Sequence, residues 1–336
     1  MSKSGSFSQP PWLLEDEIPQ ECKNLLSTLP KEKGWCEPHL YQYQGFWRPA
    51  WLFSNALACQ KHYQAQNTDI LLVTAPKSGT TWLKSLAFTI LNRKLYPPTH
   101  NHHPLLTKNP HELVPFLELN IDFENNKPPP MPNNNVDRRL YSTHFSYVSL
   151  PNSAKSSACK LIYICRDPKD AFISLWHFSN KRRTPEMGTI SLEEAFELFC
   201  RGVSLGGPFW DHVVGYWQES LKAPDKILFL KYEEMIEQPN IHIKRIADFM
   251  GCPFSAEELE ASSGNIVDEI AHLCSFNNLT SLEVNKNGIS SAGGLRFDIF
   301  FRRGITQDWK NYLTPDMVDR IDRLTAEKFQ GSELKL

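Results

Sequence analysis

The chain has 336 residues, 41 % hydrophobic and 22 % charged, and its 36 Lys and Arg against 38 Asp and Glu give a formal net charge of -2. That balance supports a sizeable core and excludes a disordered or collagen-like chain. It also excludes the global basic field that holds a nucleic-acid backbone or an anionic membrane, so an anionic ligand must be met by locally placed cations.

Residues 1–20, MSKSGSFSQPPWLLEDEIPQ, are polar and proline-containing with no apolar signal-peptide core. They read as a flexible tail ahead of one domain over 21–336. The aromatic residues Tyr43, Phe46 and Trp47, with Phe145 and Tyr147 further on, are candidates for the wall of a hydrophobic ligand pocket; ordinary core packing explains each equally well.

Asp69 to Ala75, DILLVTA, predicts a buried strand, and Trp82, Leu83, Leu86, Ala87, Ile90 and Leu91 share one helical face. The turn between them is Pro76-Lys77-Ser78-Gly79-Thr80-Thr81. A helix that opens on Ser, Gly and two Thr offers free backbone N–H groups, hydroxyls and a positive end to one point. Lys77 adds a full charge, so the turn suits phosphate or sulfate better than a lone carboxylate. The plainer alternative is a Ser/Thr-rich helix cap beside an exposed Lys. An ATP-type P-loop would put its Lys directly after the second Gly, whereas Thr80 follows Gly79 here and the Lys precedes it.

His100, His102, His103 and His111 cluster next, without the regular spacing or nearby Cys of a zinc site, and read as a polar loop facing a ligand. Asn125 to Asn135, NNKPPPMPNNN, reads as a surface loop. The strand-like RRLYSTH ends at His144. Lys160 to Cys165, KLIYIC, repeats the strand-turn-helix plan with Arg166 at the turn and Pro168 in the first helical turn, and Lys226 to Leu230 followed by KYEEMIEQ repeats it again. Ser191 with Glu194 and Ser255 with Glu258 have capping-box spacing, and Thr314-Pro315 opens the last helix. The Gly, Ser and Asn of VNKNGISSAGGLRF suggest a mobile lid over about 284–306, just ahead of Arg302-Arg303-Gly304.

Apolar strands alternating with helices predict an α/β fold, a single domain whose central parallel sheet is flanked by helices, with ligands beyond the strands' carboxyl ends. No apolar run reaches the roughly 18 residues of a membrane span. The eight scattered cysteines lack a Cys-x-x-Cys pair and read as reduced thiols, which places the chain in the cytoplasm and makes the sequon at Asn278 a chance match.

The motifs PKSGTTW (Pro76 to Trp82), STH (Ser142 to His144), CRDPKDAFISLWHF (Cys165 to Phe178), YEEM (Tyr232 to Met235) and FFRRGITQDWKN (Phe300 to Asn311) closely resemble those of the cytosolic sulfotransferases, most of all their plant branch. The resemblance runs from LYQYQGFW (Leu40 to Trp47) to DWKNYLT (Asp308 to Thr314). It implies a P-loop-like turn in which Lys77, Ser78, Gly79, Thr80 and Thr81 cradle the 5'-phosphosulfate of 3'-phosphoadenosine 5'-phosphosulfate (PAPS), with Trp82 on the adenine. It further implies that Arg166, Ser174, Arg302, Arg303 and Gly304 hold the 3'-phosphate, that Tyr232 and Phe276 line the adenine pocket, and that no metal is needed. By the same resemblance His144 is the general base and Lys77 stabilises the leaving phosphate. The implied acceptor is a small hydroxylated metabolite: a flavonoid, a steroid or brassinosteroid, a hydroxyjasmonate or a desulfoglucosinolate. A nucleotide kinase of P-loop type and a non-catalytic nucleotide-binding relative are the alternatives.

The sequence also departs from the family pattern. Ser142 stands where many animal members carry Lys, so Thr81 or Ser142 is expected to supply the missing hydrogen bonds. Ala75 replaces a common aromatic, and Gln307 stands where Gly usually precedes Asp-Trp-Lys. The animal dimerisation motif is broken by Pro315 and Asp319, which favours a monomer.

Overall fold

The computed structural model describes residues 18–120, 138–260, 265–290 and 294–336; most of the expected tail and the whole loop Asn125 to Asn135 lie outside these. Four strands form the expected parallel sheet. They are β4 (Ile70–Thr74), β5 (Leu140–Thr143), β6 (Lys160–Cys165) and β7 (Ile227–Lys231), in the order β5-β4-β6-β7. Every residue of β4 is buried, as expected of a parallel strand covered on both faces. Alternate residues feed two cores. Ile70, Leu72, Ile162 and Ile164 pack with Leu83 and Phe88 of the helix Thr80–Asn92, while Leu71, Val73, Leu161 and Tyr163 pack with Phe172 and Trp210 on the other side.

The register pairs Val73 with Thr143, Thr74 with Ile164, and Ile164 with Leu230, so all four strands end at one edge. Each is followed there by a segment named in the motifs: β4 by the turn Ala75 to Gly79, β5 by His144, β6 by Arg166, and β7 by Tyr232. Asp167 caps the helix Pro168–Arg182 by accepting the backbone N–H groups of Lys169 and Asp170. Ser191, Ser255 and Thr314 cap their helices as their spacing predicts.

A second, antiparallel sheet of β1 (Lys31–Lys33), β2 (His39–Tyr43) and β3 (Phe46–Pro49) has no counterpart in the sequence reading. The β2–β3 hairpin turns on Gln44 and Gly45, with φ of +53° and +83°, the left-handed pair of a two-residue turn. β3 docks on the main body through two backbone bonds: the Trp47 N–H donates to the Gly207 carbonyl at 2.8 Å, and the Gly206 N–H donates to the Trp47 carbonyl at 2.9 Å.

The segment 284–306 contains regular structure where the sequence suggests loop. A helix spans Glu283–Asn287, Ile289 bridges to Arg296, and a 3-10 turn spans Phe297–Phe300. Buried Asn285 anchors it, accepting from the Asn109 amide at 2.8 Å and donating to the Leu279 carbonyl at 2.8 Å.

Candidate active site

The carboxyl edge of the parallel sheet opens into a cavity of about 680 Å³. Lys77, Gly79, Thr80, Thr81 and Trp82 line it from the first turn, Arg166 and Ser174 from the second, and Tyr232 from the third. Phe276, Arg302, Arg303 and Gly304 close the same end, and His144 faces the cavity beside Phe116, Glu118 and Phe145. Residues as far apart in sequence as Arg48 and Gly304 thus meet in one space.

The turn adopts a conformation few side chains tolerate. Lys77 has φ +69° and Gly79 φ +111°, and a Cβ on Gly79 would lie 2.8 Å from the Tyr232 ring. Gly304, at φ +65°, would put a Cβ 2.4 Å from the Phe276 ring. Two glycines therefore keep aromatic walls close to a backbone that can approach a ligand.

Lys77 is half-buried, its ammonium 4.2 Å from the centre of the Phe178 ring. Desolvation, reinforced by the like charges of Arg166, Lys181, Arg302 and Arg182, lowers it to about 7. Arg166 lies over the Tyr232 ring at 4.6 Å and donates to the Ile305 carbonyl at 2.8 Å, while its Nε is buried without a partner among the described residues. Arg302 and Arg303 both pair with Asp308, the second at 2.9 Å. Asp170 steadies this region by accepting the N–H groups of Gln307 at 2.6 Å and Trp309 at 3.1 Å. Gln307 holds φ +61°, which explains why Gly is the easier residue there.

His144 is oriented from three sides. Its Nδ1 lies 2.8 Å from the Thr74 carbonyl, an atom that only accepts, so Nδ1 carries the proton and Nε2 keeps its lone pair. Its backbone N–H donates to Glu118 Oε1 at 2.7 Å, and its carbonyl accepts from His212 Nε2 at 3.2 Å. Burial, only partly offset by the Thr74 bond, lowers the imidazole to about 3. The ring is a neutral acceptor at physiological pH.

Some expected residues lie elsewhere. Ser78 does not line the cavity; its hydroxyl is buried and its N–H is spent on the Ala75 carbonyl at 3.2 Å within the turn. Ser142 also misses the cavity, its hydroxyl donating to the Pro115 carbonyl at 3.3 Å, so it does not replace the animal Lys. Of the proposed aromatic wall only Phe145 lines the cavity. The hairpin sends Trp47 into the main core and sets Phe46 on His212, Tyr43 packs on Phe53, and Tyr147 packs on Tyr216. Of the four histidines after Thr99 only His111 reaches the cavity. His103 is buried and caps a 3-10 turn, and among the described residues no group of three His, Cys, Asp or Glu could hold a metal ion.

Sequence reasoning missed Arg48, Lys84 and Glu118. Lys84 is fully buried, 3.4 Å from the centre of the Phe116 ring and 3.0 Å from His111 Nδ1, while His111 Nε2 is 3.0 Å from the Thr81 hydroxyl. Burial drives its ammonium well below the usual range. Its signal was legible: it is the single charged residue of the helix Thr80–Asn92. Arg48 and Glu118 stand alone in otherwise apolar surroundings and carry no motif.

The residues fit an adenosine bisphosphate moiety in kind: aromatic faces at Trp82, Tyr232 and Phe276, two clusters of cations, and a buried unpartnered guanidinium nitrogen. Comparison with known proteins agrees. The sulfotransferase domain family matches residues 67–333. Cytosolic sulfotransferase 12 of Arabidopsis thaliana is 46 % identical, with 99 % of each chain covered, and cytosolic sulfotransferase 13 is 45 % identical, with 96 % of each covered. The crystal structure of a candidate steroid sulphotransferase of Arabidopsis thaliana superposes with a TM-score of 0.72 at 42 % identity, covering 98 % of this chain and 100 % of that one. A mouse sulfotransferase complexed with 3'-phosphoadenosine 5'-phosphate (PAP) gives a TM-score of 0.65 at 28 % identity, covering 88 % of this chain and 95 % of that one. The chain belongs to the sulfotransferase family and groups within it with the cytosolic sulfotransferases of plants.

Proposed function

We propose that this sulfotransferase moves the sulfuryl group of PAPS to a hydroxyl of a small metabolite in the cytoplasm, with His144 as general base. The observation that carries the reading is the joint presence, in one cavity, of a neutral His144 with a free Nε2 and of the Lys77 turn with Arg166 and Arg302. PAPS supplies an activated sulfuryl group and leaves as PAP. His144 Nε2 takes the acceptor hydroxyl's proton as its oxygen forms the new bond to sulfur in line with the bond that breaks. Lys77 and the N-terminus of the helix Thr80–Asn92 offset the charge gathering on the departing 5'-phosphate. Arg166, Ser174 and Arg302 to Gly304 hold the 3'-phosphate, and the described parts of the lid segment, 284–290 and 294–306, cover the donor. The wall near His144 is largely apolar and aromatic, which suits a mostly hydrophobic acceptor.

A kinase reading would look for a magnesium-binding Asp just after β6, where Asp167 stands, and that carboxylate is committed to capping the helix Pro168–Arg182. A non-catalytic reading is disfavoured by the intact, oriented base. Radiolabelled PAPS and, separately, ATP with magnesium, each offered with a panel of phenols and alcohols, tests the assignment. Label transferred from PAPS alone supports it, and label transferred from ATP alone refutes it.

A further inference from the structure

We propose that Arg48 is an anion-reading residue of the acceptor site, and that the preferred acceptor is a hydroxylated carboxylic acid whose carboxylate docks on this guanidinium. The inference rests on the sulfuryl-transfer reading and narrows its acceptor class.

Arg48 lies on β3, lines the cavity and is only 5 % exposed. Its guanidinium sits 4.8 Å from the centre of the Phe145 ring, the residue directly after the base, so it faces the acceptor end rather than the adenine end. Among the described residues it makes no hydrogen bond and no ion pair. Five N–H donors and a full charge held that deep are costly unless something else completes them. The other buried arginines of the cavity have partners: Arg166 has the Ile305 carbonyl and Arg182 has Glu37 at 3.1 Å. Arg48 is the exception, and it opens on the cavity.

Glu118 is the charged group nearest in kind. Its Oε1 is used by the His144 N–H, while its Oε2 is buried with no hydrogen bond to it among the described residues, and the Thr143 hydroxyl stands close to the same carboxylate. Attraction to Glu118 favours the Arg48 cation, yet the two do not come within ion-pair distance, and burial pulls the guanidinium down to about 10. The carboxyl of Glu118 is itself shifted upward by burial, which weakens its repulsion of a second carboxylate. A planar carboxylate supplies two parallel acceptors to a guanidinium fork, which a ketone or an ether cannot. Backbone bonds from Trp47 to Gly206 and Gly207 fix β3 against the body, so the fork is held before the ligand arrives.

The test uses matched pairs: para-hydroxybenzoate, para-hydroxyphenylpropionate and omega-hydroxydodecanoate, each against its methyl ester. Binding of each to the complex with PAP is measured by calorimetry, and sulfated product from PAPS by mass spectrometry. In the wild type at least one acid is expected to bind roughly tenfold or more tighter than its ester, the scale of one charge-assisted bond. Arg48→Met is expected to bring that ratio close to one while PAP affinity stays within about twofold. Equal binding of acid and ester by the wild type in every pair, or no binding of any acid, overturns the proposal whether or not the variant folds. So does an undiminished ratio in Arg48→Met. Acid binding that depends on Arg48 but yields no sulfated product upholds the role of Arg48 and refutes the sulfuryl-transfer reading instead.

Discussion

His144 donates its Nδ1 proton to the backbone carbonyl of Thr74, 2.8 Å away. Thr74 ends β4, and the Lys77 turn starts two residues later, so the proposed base, which follows β5, is tied to the strand end from which the proposed anion-binding turn leaves. His144→Ala is expected to lower kcat by about 10²- to 10⁴-fold, the usual contribution of a general base. PAP affinity should stay within about 1 kcal/mol, since the ring acts on the acceptor side. Single-turnover kinetics with calorimetry of PAP binding checks both halves; lost PAP binding with turnover preserved contradicts the role.

Lys77, lowered to about 7 in the free protein, is partly neutral at physiological pH. A bisphosphate bound beside it favours the charged form, so binding draws a proton from solution. PAP affinity is therefore expected to fall as pH rises above 7, by up to about tenfold per unit for one linked proton. Calorimetry at pH 8 in buffers of different ionisation enthalpy should report net proton uptake, abolished in Lys77→Met. Binding that is independent of pH from 7 to 9 contradicts it.

Arg166→Ala and Arg302→Ala should each weaken PAP binding by about 1.5 to 3 kcal/mol, the range of hydrogen bonds to charged groups. Adenosine 5'-phosphate, which lacks the 3'-phosphate, should bind nearly as before. Equal losses for both nucleotides would remove these arginines from the 3'-phosphate site.

Four histidines, His103 and His212 buried and His111 and His144 partly so, set an acid limit on stability. Burial lowers His103 and His212 to about 4, His144 to about 3, and His111 well below its usual value. In the unfolded chain each titrates near 6.5, so below that pH the unfolded state binds more protons than the folded one. Their contribution is complete above about 6.5 and is lost as pH falls, by up to about 1.4 kcal/mol per pH unit for each ring. Urea unfolding at pH 7, 6 and 5.5 should show a steep decline; a flat profile would mean the rings charge inside the fold.

The parallel sheet was legible because β4, β6 and β7 are short unbroken apolar runs followed by capped helices. Local chemistry also announced the turn at the sheet edge, since Lys77, Gly79 and Thr80 set its backbone shape and open the helix behind it. The acceptor wall was not legible. Trp47 and Arg48 are neighbours, yet strand alternation sends one into the core and the other to the cavity, and a strand pairing that was not foreseen decides which. Glu118 and Lys84 gain their roles from contacts with His144 and His111, which local sequence does not encode. The misplacement of Ser142 has the same origin: β5 pairs through Ser142 with the Pro115–Phe116 segment, which consumes its side chain.

The β2–β3 hairpin makes the two halves of the cavity separable by ancestry of change. The residues proposed for the donor come from turns at the sheet edge and the segment around Arg302, while Arg48 comes from a small sheet that joins the body through Leu40 and Trp47 in the main core and through the Trp47 backbone bonds. On the proposed assignment, a substitution at Arg48 that spares the Trp47 packing retunes which metabolite is modified and leaves the nucleotide end of the cavity in place. Duplicated copies of such a chain have a direct route to new acceptors, with the chemistry of transfer left intact.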